Sequence, residues 1–166
     1  MAADDKGKKG ENGAAKPAPA GEPSVKVLGQ YIKDLSFENP NAPKSFQQTT
    51  GEQPQLDVSL NVGVKALGDN VHEVTLNVEN KLAGQAGVLF QLQLAYAGAF
   101  QIENVPDDIK QQLLRIQCPT LLFPFVRRLV ADLTRDGGFP SLYLDPVDFG
   151  QLYMQDMAKS KAQGTA

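Results

Sequence analysis

The stretch YIKDLSFENPNAP, Tyr31 to Pro43, begins as an alternating strand and ends as a segment that no strand can accommodate. In strict alternation Tyr31, Lys33, Leu35 and Phe37 share one face, while Ile32, Asp34, Ser36 and Glu38 share the other. Asp34 and Glu38 then point the same way, roughly 13 Å apart at about 3.3 Å per residue. That is too far for a pair of catalytic carboxylates and well spaced for gripping a basic surface. Pro40 and Pro43 remove ladder donors and fix φ, so the chain leaves the sheet there and crosses over something.

Three further segments alternate cleanly. Leu56, Val58, Leu60, Val62 and Val64 oppose Asp57, Ser59, Asn61 and Lys65, and Gly68, Asp69 and Asn70 supply a hairpin turn. Val74, Leu76, Val78 and Leu82 then oppose Glu73, Thr75, Asn77, Glu79 and Lys81, up to a second turn at Gly84 to Gly87. The last run sets Val88, Phe90, Leu92, Leu94, Tyr96, Phe100 and Ile102 against Gln91, Gln93, Ala95, Ala97, Ala99 and Gln101. Four such strands make an antiparallel sheet with one apolar face and one face of Gln, Ala and charge.

Val105-Pro106-Asp107-Asp108 reads as a helix start, with Pro in the first turn and carboxylates at the positive end of the dipole. Ile109, Leu113 and Ile116 form that helix's apolar stripe. A second helix is predicted from about Pro119 to Asp136, with Leu122, Val126, Leu129, Val130 and Leu133 at helical spacing, Gly137 as its stop, and Arg128 and Asp132 spaced for an i,i+4 pair. A short third helix follows from about Pro146 to Met157. The fold class is α+β, a four-stranded antiparallel sheet with helices on one face. These helices cannot cover every apolar residue of the sheet and also account for Phe37, Phe46, Leu121, Phe123 and Phe125, which implies assembly or a ligand.

The first 24 residues hold no aliphatic side chain larger than Ala after Met1, too little apolar surface to offset ordering entropy, so residues 1–24 and 158–166 are expected to be disordered tails around a domain at 25–157. No apolar run is long enough for a secretory signal or a membrane span, so cytoplasm is the expected compartment, with no direct membrane insertion. The single cysteine, Cys118, excludes an intrachain disulfide. A formal net charge of −3 and a pI near 5.1 disfavour nucleic acid as a partner and favour a basic one.

Catalysis has little support, and no enzyme is expected. His72 is the sole histidine, at a strand end on the mainly apolar face, where a structural role is the plain reading. Cys118 precedes Pro119 at a helix start; a packed thiol is the ordinary reading, a reactive one the alternative. There is no Cys/His cluster for a metal and no GxxxxGK[ST] run for a nucleotide, so no cofactor is expected.

YIKDLSFENPNAP resembles the signature near the start of the SecB family of protein-export chaperones. Gln117 to Phe149, QCPTLLFPFVRRLVADLTRDGGFPSLYLDPVDF, is similar to the family's C-terminal helix and following loop, and the similarity spans about Tyr31 to Met154. The resemblance implies a homotetramer, a dimer of dimers, that binds unfolded precursor proteins and delivers them to the SecA ATPase. It also implies SecA contacts at Asp34, Glu38 and the position of Gln93. A groove that accepts many sequences needs broad apolar walls and free strand edges, and Phe37, Phe46, Leu56, Val58, Leu60, Leu121 and Phe125 are the expected client-binding residues. Two departures stand out: Gln93 replaces an acidic residue, and Glu52 a tryptophan, of well-known members. The alternatives are a SecB-like chaperone dedicated to a single partner such as an antitoxin, and a small-molecule enzyme.

Overall fold

The computed structural model describes residues 21–47, 53–85 and 87–163. The expected tail up to residue 20, the last three residues and Glu52 lie outside the described residues. Four strands, β1 (Ser24–Glu38), β2 (Gln55–Gly68), β3 (Val71–Gly84) and β4 (Gly87–Glu103), form one antiparallel sheet in the order β1-β4-β3-β2. Helices α1 (Asp107–Gln112), α2 (Cys118–Asp136) and α3 (Phe149–Gln163) complete the chain. The expected fold class holds. Ser24 already pairs with Glu103, so β1 begins inside the expected tail, and α3 runs six residues beyond the expected domain end at 157.

Between β2 and β3, Asp69 and Asn70 sit at φ 48° and 62°, the left-handed pair that a two-residue hairpin loop requires. The core lies between the central strands and α2. Val74, Leu76, Val78, Leu92, Leu94, Phe100 and Ile102 bury against Leu122, Val126 and Val130. The helix approaches closely because Gly98 has no side chain: a Cβ there would lie 2.9 Å from Leu122.

The strict alternation expected for β1 does not hold. Its pairing with β4 shifts between Val27 and Gly29, and again between Ile32 and Asp34. At the second shift three steps of β1 match two of β4, since Tyr31 faces Ala97 and Asp34 faces Ala95. An extra residue reverses every side chain beyond it. Ile32 therefore joins Leu35 and Phe37 on the helix side, while Tyr31 and Lys33 join Asp34, Ser36 and Glu38 on the outer face.

The helical segment departs from expectation in two places, its first turns and the partner of Asp132. A π-helical turn, Leu113–Gln117, links α1 to α2, with the Cys118 N–H donating to the Leu113 carbonyl five residues back. This wide turn precedes Pro119, which has no N–H to give, and it rotates the stripe: Leu114 is buried and Ile109 exposed. At the far end the helix stops at Asp136 as expected, Gly137 caps it, and Gly138, at φ 90°, turns the chain. The Gly138 and Phe139 N–H groups donate to the Arg135 and Thr134 carbonyls. Asp132 pairs with Arg135 at 3.1 Å rather than with Arg128.

Asn80 is fully buried on the helix side between Val58 and Leu92, and neither side-chain polar atom has a partner among the described residues. Such a group costs about 1–3 kcal/mol. Asn80→Leu is expected to raise the denaturant midpoint by a corresponding amount; a lower midpoint would show that the amide organises the core.

Candidate functional site

The sheet presents two unlike surfaces. On its outer face the register lines up Glu38, Gln91, Lys81 and Asp57 in one row, Ser36, Gln93, Glu79 and Ser59 in the next, and Asp34, Ala95, Asn77 and Asn61 in a third. Asp34 and Glu38 thus flank the row that holds Gln93, so the three predicted docking residues are brought together. Glu79 stands beside Gln93 and places a carboxylate in a row where Gln93 carries none.

One end of the outer face is tied down by Glu73. Lys33 Nζ meets Glu73 Oε1 at 2.6 Å, and the Tyr31 hydroxyl donates to Glu73 Oε2. The Lys33 bond, then the Tyr31 bond, hold the Glu73 carboxyl below its ordinary range, while the Tyr31 hydroxyl is pushed up by its bond to Glu73.

The helix side divides the predicted client residues among three places. Phe37 and Phe46 join a run of rings: Phe37 stacks on Phe90 at 5.6 Å, Phe90 meets Phe139 at 5.0 Å, and Phe139 meets Phe46 at 5.8 Å. Gly137 and Gly138 make room for it, because a Cβ on Gly137 would collide with the Phe37 ring and one on Gly138 with Phe46. Asn39 and Asn41 fix the crossover after β1, donating to the carbonyls of Gly137 at 3.3 Å and Val88 at 2.8 Å.

Leu56, Val58 and Leu60, on the edge strand β2, line a groove of about 290 Å³ with Phe123 and the segment Leu142 to Val147. That segment has no regular structure, and α2 holds it. Thr134 Oγ1 accepts from the Leu142 N–H at 2.9 Å, Arg127 Nε donates to the Leu144 carbonyl at 2.8 Å, and the Arg127 guanidinium lies 5.4 Å from the centre of the Tyr143 ring.

Leu121 and Phe125 are in neither place. Both are exposed on α2, where Phe125 stacks on Tyr96 at 6.1 Å. Tyr96 faces Ile32 across the ladder, and Val25, Val27, Ile32 and Leu35 leave the helix side of β1 exposed as well. This is a second apolar surface, separate from the groove.

The lone titratable candidates look structural. Cys118 is buried, and desolvation pushes its thiol up to about 12, so no thiolate forms near neutral pH. His72 Nδ1 is buried without a partner among the described residues. Among those residues no cluster of His, Cys, Asp and Glu is arranged for a metal, and no helix is long and apolar enough to cross a membrane.

The family model for preprotein translocase subunit SecB matches residues 18–160. The chain belongs to the SecB family. A protein-export protein SecB of Rhodopseudomonas palustris (strain BisB5) is 52% identical over 153 residues, covering 92% of this chain and 96% of its own. That of Afipia carboxidovorans is 53% identical over 150 residues, covering 90% and 92%, and that of Zymomonas mobilis 51% identical over 133 residues, covering 80% of each. A SecB-like chaperone of Mycobacterium tuberculosis, solved with a ChAD peptide from the HigA1 antitoxin, shares the fold at a TM-score of 0.58 and 17% identity, covering 74% of this chain and 90% of its own. Membership makes this chain a protein-export chaperone. The expectation drawn from Tyr31 to Pro43 and Gln117 to Phe149 therefore stands, and the antitoxin-bound structure is similar in fold alone.

Sequence reasoning missed Glu73, Asn39, Asn41, Thr134 and Arg127, which hold these surfaces in shape. For Glu73 a signal existed. Ala95, Ala97 and Ala99 leave β4 bare on its outer face, so long side chains on β1 can reach β3 across it.

Proposed function

We propose that this chain holds precursor proteins unfolded in the cytoplasm and passes them to SecA, with clients bound on the helix side of the sheet and SecA docked on its acidic outer face. The observation that carries this reading is the groove along β2. Its walls are apolar, it lies on an edge strand with unpaired backbone groups, and its far wall is an irregular segment rather than a shaped polar pocket. Such a site rewards apolar side chains and free backbone in any sequence, which is what unfolded chains share. Burying about 1,000 Å² of client apolar surface at about 25 cal/mol per Å² sets an upper limit near 25 kcal/mol, much of it offset by ordering the client. The ring cluster of Phe37, Phe46, Phe90 and Phe139 extends the apolar side to aromatic clients.

The exposed residues Leu121 and Phe125, with Val27, Ile32 and Leu35 of β1, form the surface through which copies associate into a dimer of dimers. Light scattering at the mass of a single chain would contradict that assembly.

Val58 is half exposed in the groove, so Val58→Asp tests client binding without opening the core. An ionised carboxylate in the apolar wall is expected to raise the dissociation constant for an unfolded precursor about tenfold, roughly 1.4 kcal/mol, with SecA affinity unchanged. Unaltered precursor binding would remove the groove from the account.

A further inference from the structure

We propose that Arg115 is a positioning residue for clients: it closes the free edge of β2 at Val62, so that an extended client segment pairs its backbone with Leu56, Val58 and Leu60 and stops there. This rests on the reading of the β2 groove as the client site, and it names the backbone groups that the site uses.

Which groups point out of the sheet follows from the ladder. In an antiparallel pair, opposed residues that bond each other alternate with opposed residues whose N–H and C=O turn away from each other. The Ile102 N–H donates to the Asn70 carbonyl at 2.9 Å, one step beyond the opposed residues Val71 and Gln101. The even-numbered residues of β3 from His72 to Leu82 therefore bond to β4, and no register shift interrupts the ladder over that span. Toward β2 the same residues offer nothing: Leu82, Asn80, Val78 and Leu76 stand opposite Leu56, Val58, Leu60 and Val62 without bonding them. Strand β2 is an edge of the sheet, so the N–H and C=O groups of these four residues point to its free side. A separate observation agrees. Arg115 Nη1 donates to the Val62 carbonyl at 3.3 Å, as expected of a carbonyl that faces the edge.

Leu56, Val58 and Leu60 also carry their side chains into the groove of about 290 Å³. Free backbone and apolar side chains thus belong to the same positions, two residues apart. Among the described residues nothing bonds the edge-facing groups of these three. An extended segment laid along the edge gains both kinds of contact at once, whatever its sequence, and at about 3.3 Å per residue Leu56 to Leu60 spans roughly 13 Å. Val62 continues the pattern and differs in one respect. Arg115, in the π turn Leu113–Gln117, already holds the carbonyl that the next client residue would need. A hydrogen bond from a charged donor outcompetes a neutral one, and a cation at a strand edge discourages further pairing. A stop at one end sets both the register and the length of the docked segment.

The test is site-resolved amide hydrogen exchange of the intact chain, alone and with a precursor freshly diluted from denaturant, for the parent, Arg115→Met, Arg115→Lys and Val58→Asp. In the parent the client is expected to slow exchange about tenfold at Leu56, Val58 and Leu60. Asp57, Ser59 and Asn61, which already bond to β3, and Val62 should exchange as they do without client. Arg115→Met keeps the apolar stem and removes the donors, and is expected to carry the slowing on to Val62. Arg115→Lys keeps a cationic donor and should end it at Leu60 again. Slowing at Val62 in the parent, equal slowing at odd and even residues, or a stop at Leu60 that persists in Arg115→Met would overturn the inference. A precursor that slows none of these amides, while Val58→Asp still weakens its binding, would overturn the inference and leave the groove as the client site. Parental precursor affinity in Val58→Asp would overturn the groove reading and this inference with it. If Arg115→Met does not fold, the boundary in the parent decides: a stop between Leu60 and Val62 supports the inference, and slowing at Val62 overturns it.

Discussion

With Asp34→Lys and Glu38→Lys together, the SecA complex is expected to weaken about 100-fold at low salt while unfolded precursors still bind as before. Both residues lie on the outer face, on either side of the row holding Ser36 and Gln93. The double reversal moves the local charge by four units. At about 6 Å in a medium close to water each unit pair is worth about 0.7 kcal/mol, so the swing is about 3 kcal/mol, or two decades in affinity. Screening makes that attraction shrink in salt, so the parent's affinity falls steeply with ionic strength and the variant's falls little. Client binding is spared because the groove and the ring cluster occupy the opposite side of the sheet. Equal SecA titrations for parent and variant at low salt would remove the acidic face from the account.

The second large effect is one of stability. Leu122 is fully buried where α2 comes nearest to the sheet, against the bare backbone of Gly98. Leu122→Ala leaves a void that neither element can close, because the strand is held on both edges by its neighbours. A cost of about 3 kcal/mol is expected, within the range for buried leucines. For a domain of this size that lowers the thermal midpoint by about 6–12 °C, followed by circular dichroism. The loss should extend to function, since Thr134 and Arg127 of the same helix hold the groove wall at Leu142 and Leu144. A midpoint within about 2 °C of the parent would mean that α2 does not organise the core.

Strands β2, β3 and β4 were legible in the sequence because their alternation is broken only near their ends, and the predicted faces of Leu56 to Val64, Val74 to Leu82 and Phe90 to Ile102 match the structure. Val88, expected on the same face as Phe90, pairs with Ala83 beyond a register shift that leaves Leu89 over, and so falls on the other face. Strand β1 was legible as a strand but not in phase. A bulge has no composition of its own, and the contacts that Tyr31 and Lys33 make beside it, with Glu73, join residues 42 and 40 positions apart. The stop of α2 was legible, since the helix ends at Asp136, Gly137 caps it and Gly138, at φ 90°, turns the chain. The stripe of α1 was misphased because a π turn inserts a residue that no helical period anticipates, although Pro119 marks the place. Among the site residues, Asp34, Glu38 and Gln93 came together as expected since one face of one sheet fixes them. The seven expected client residues fall in three places because apolarity alone does not fix a neighbourhood: Leu121 and Phe125 have the same character as Leu56 and Val58 and different surroundings.

This chain is expected to recognise the unfolded state of its clients rather than a particular sequence or a folded epitope. The most direct measurement is calorimetric titration of the purified protein with one precursor presented twice, freshly diluted from denaturant and in its native form. Tight binding of the unfolded chain, which then stays in solution, and no heat with the native one are the predicted results. Equal binding of both forms, or binding of neither, would contradict it.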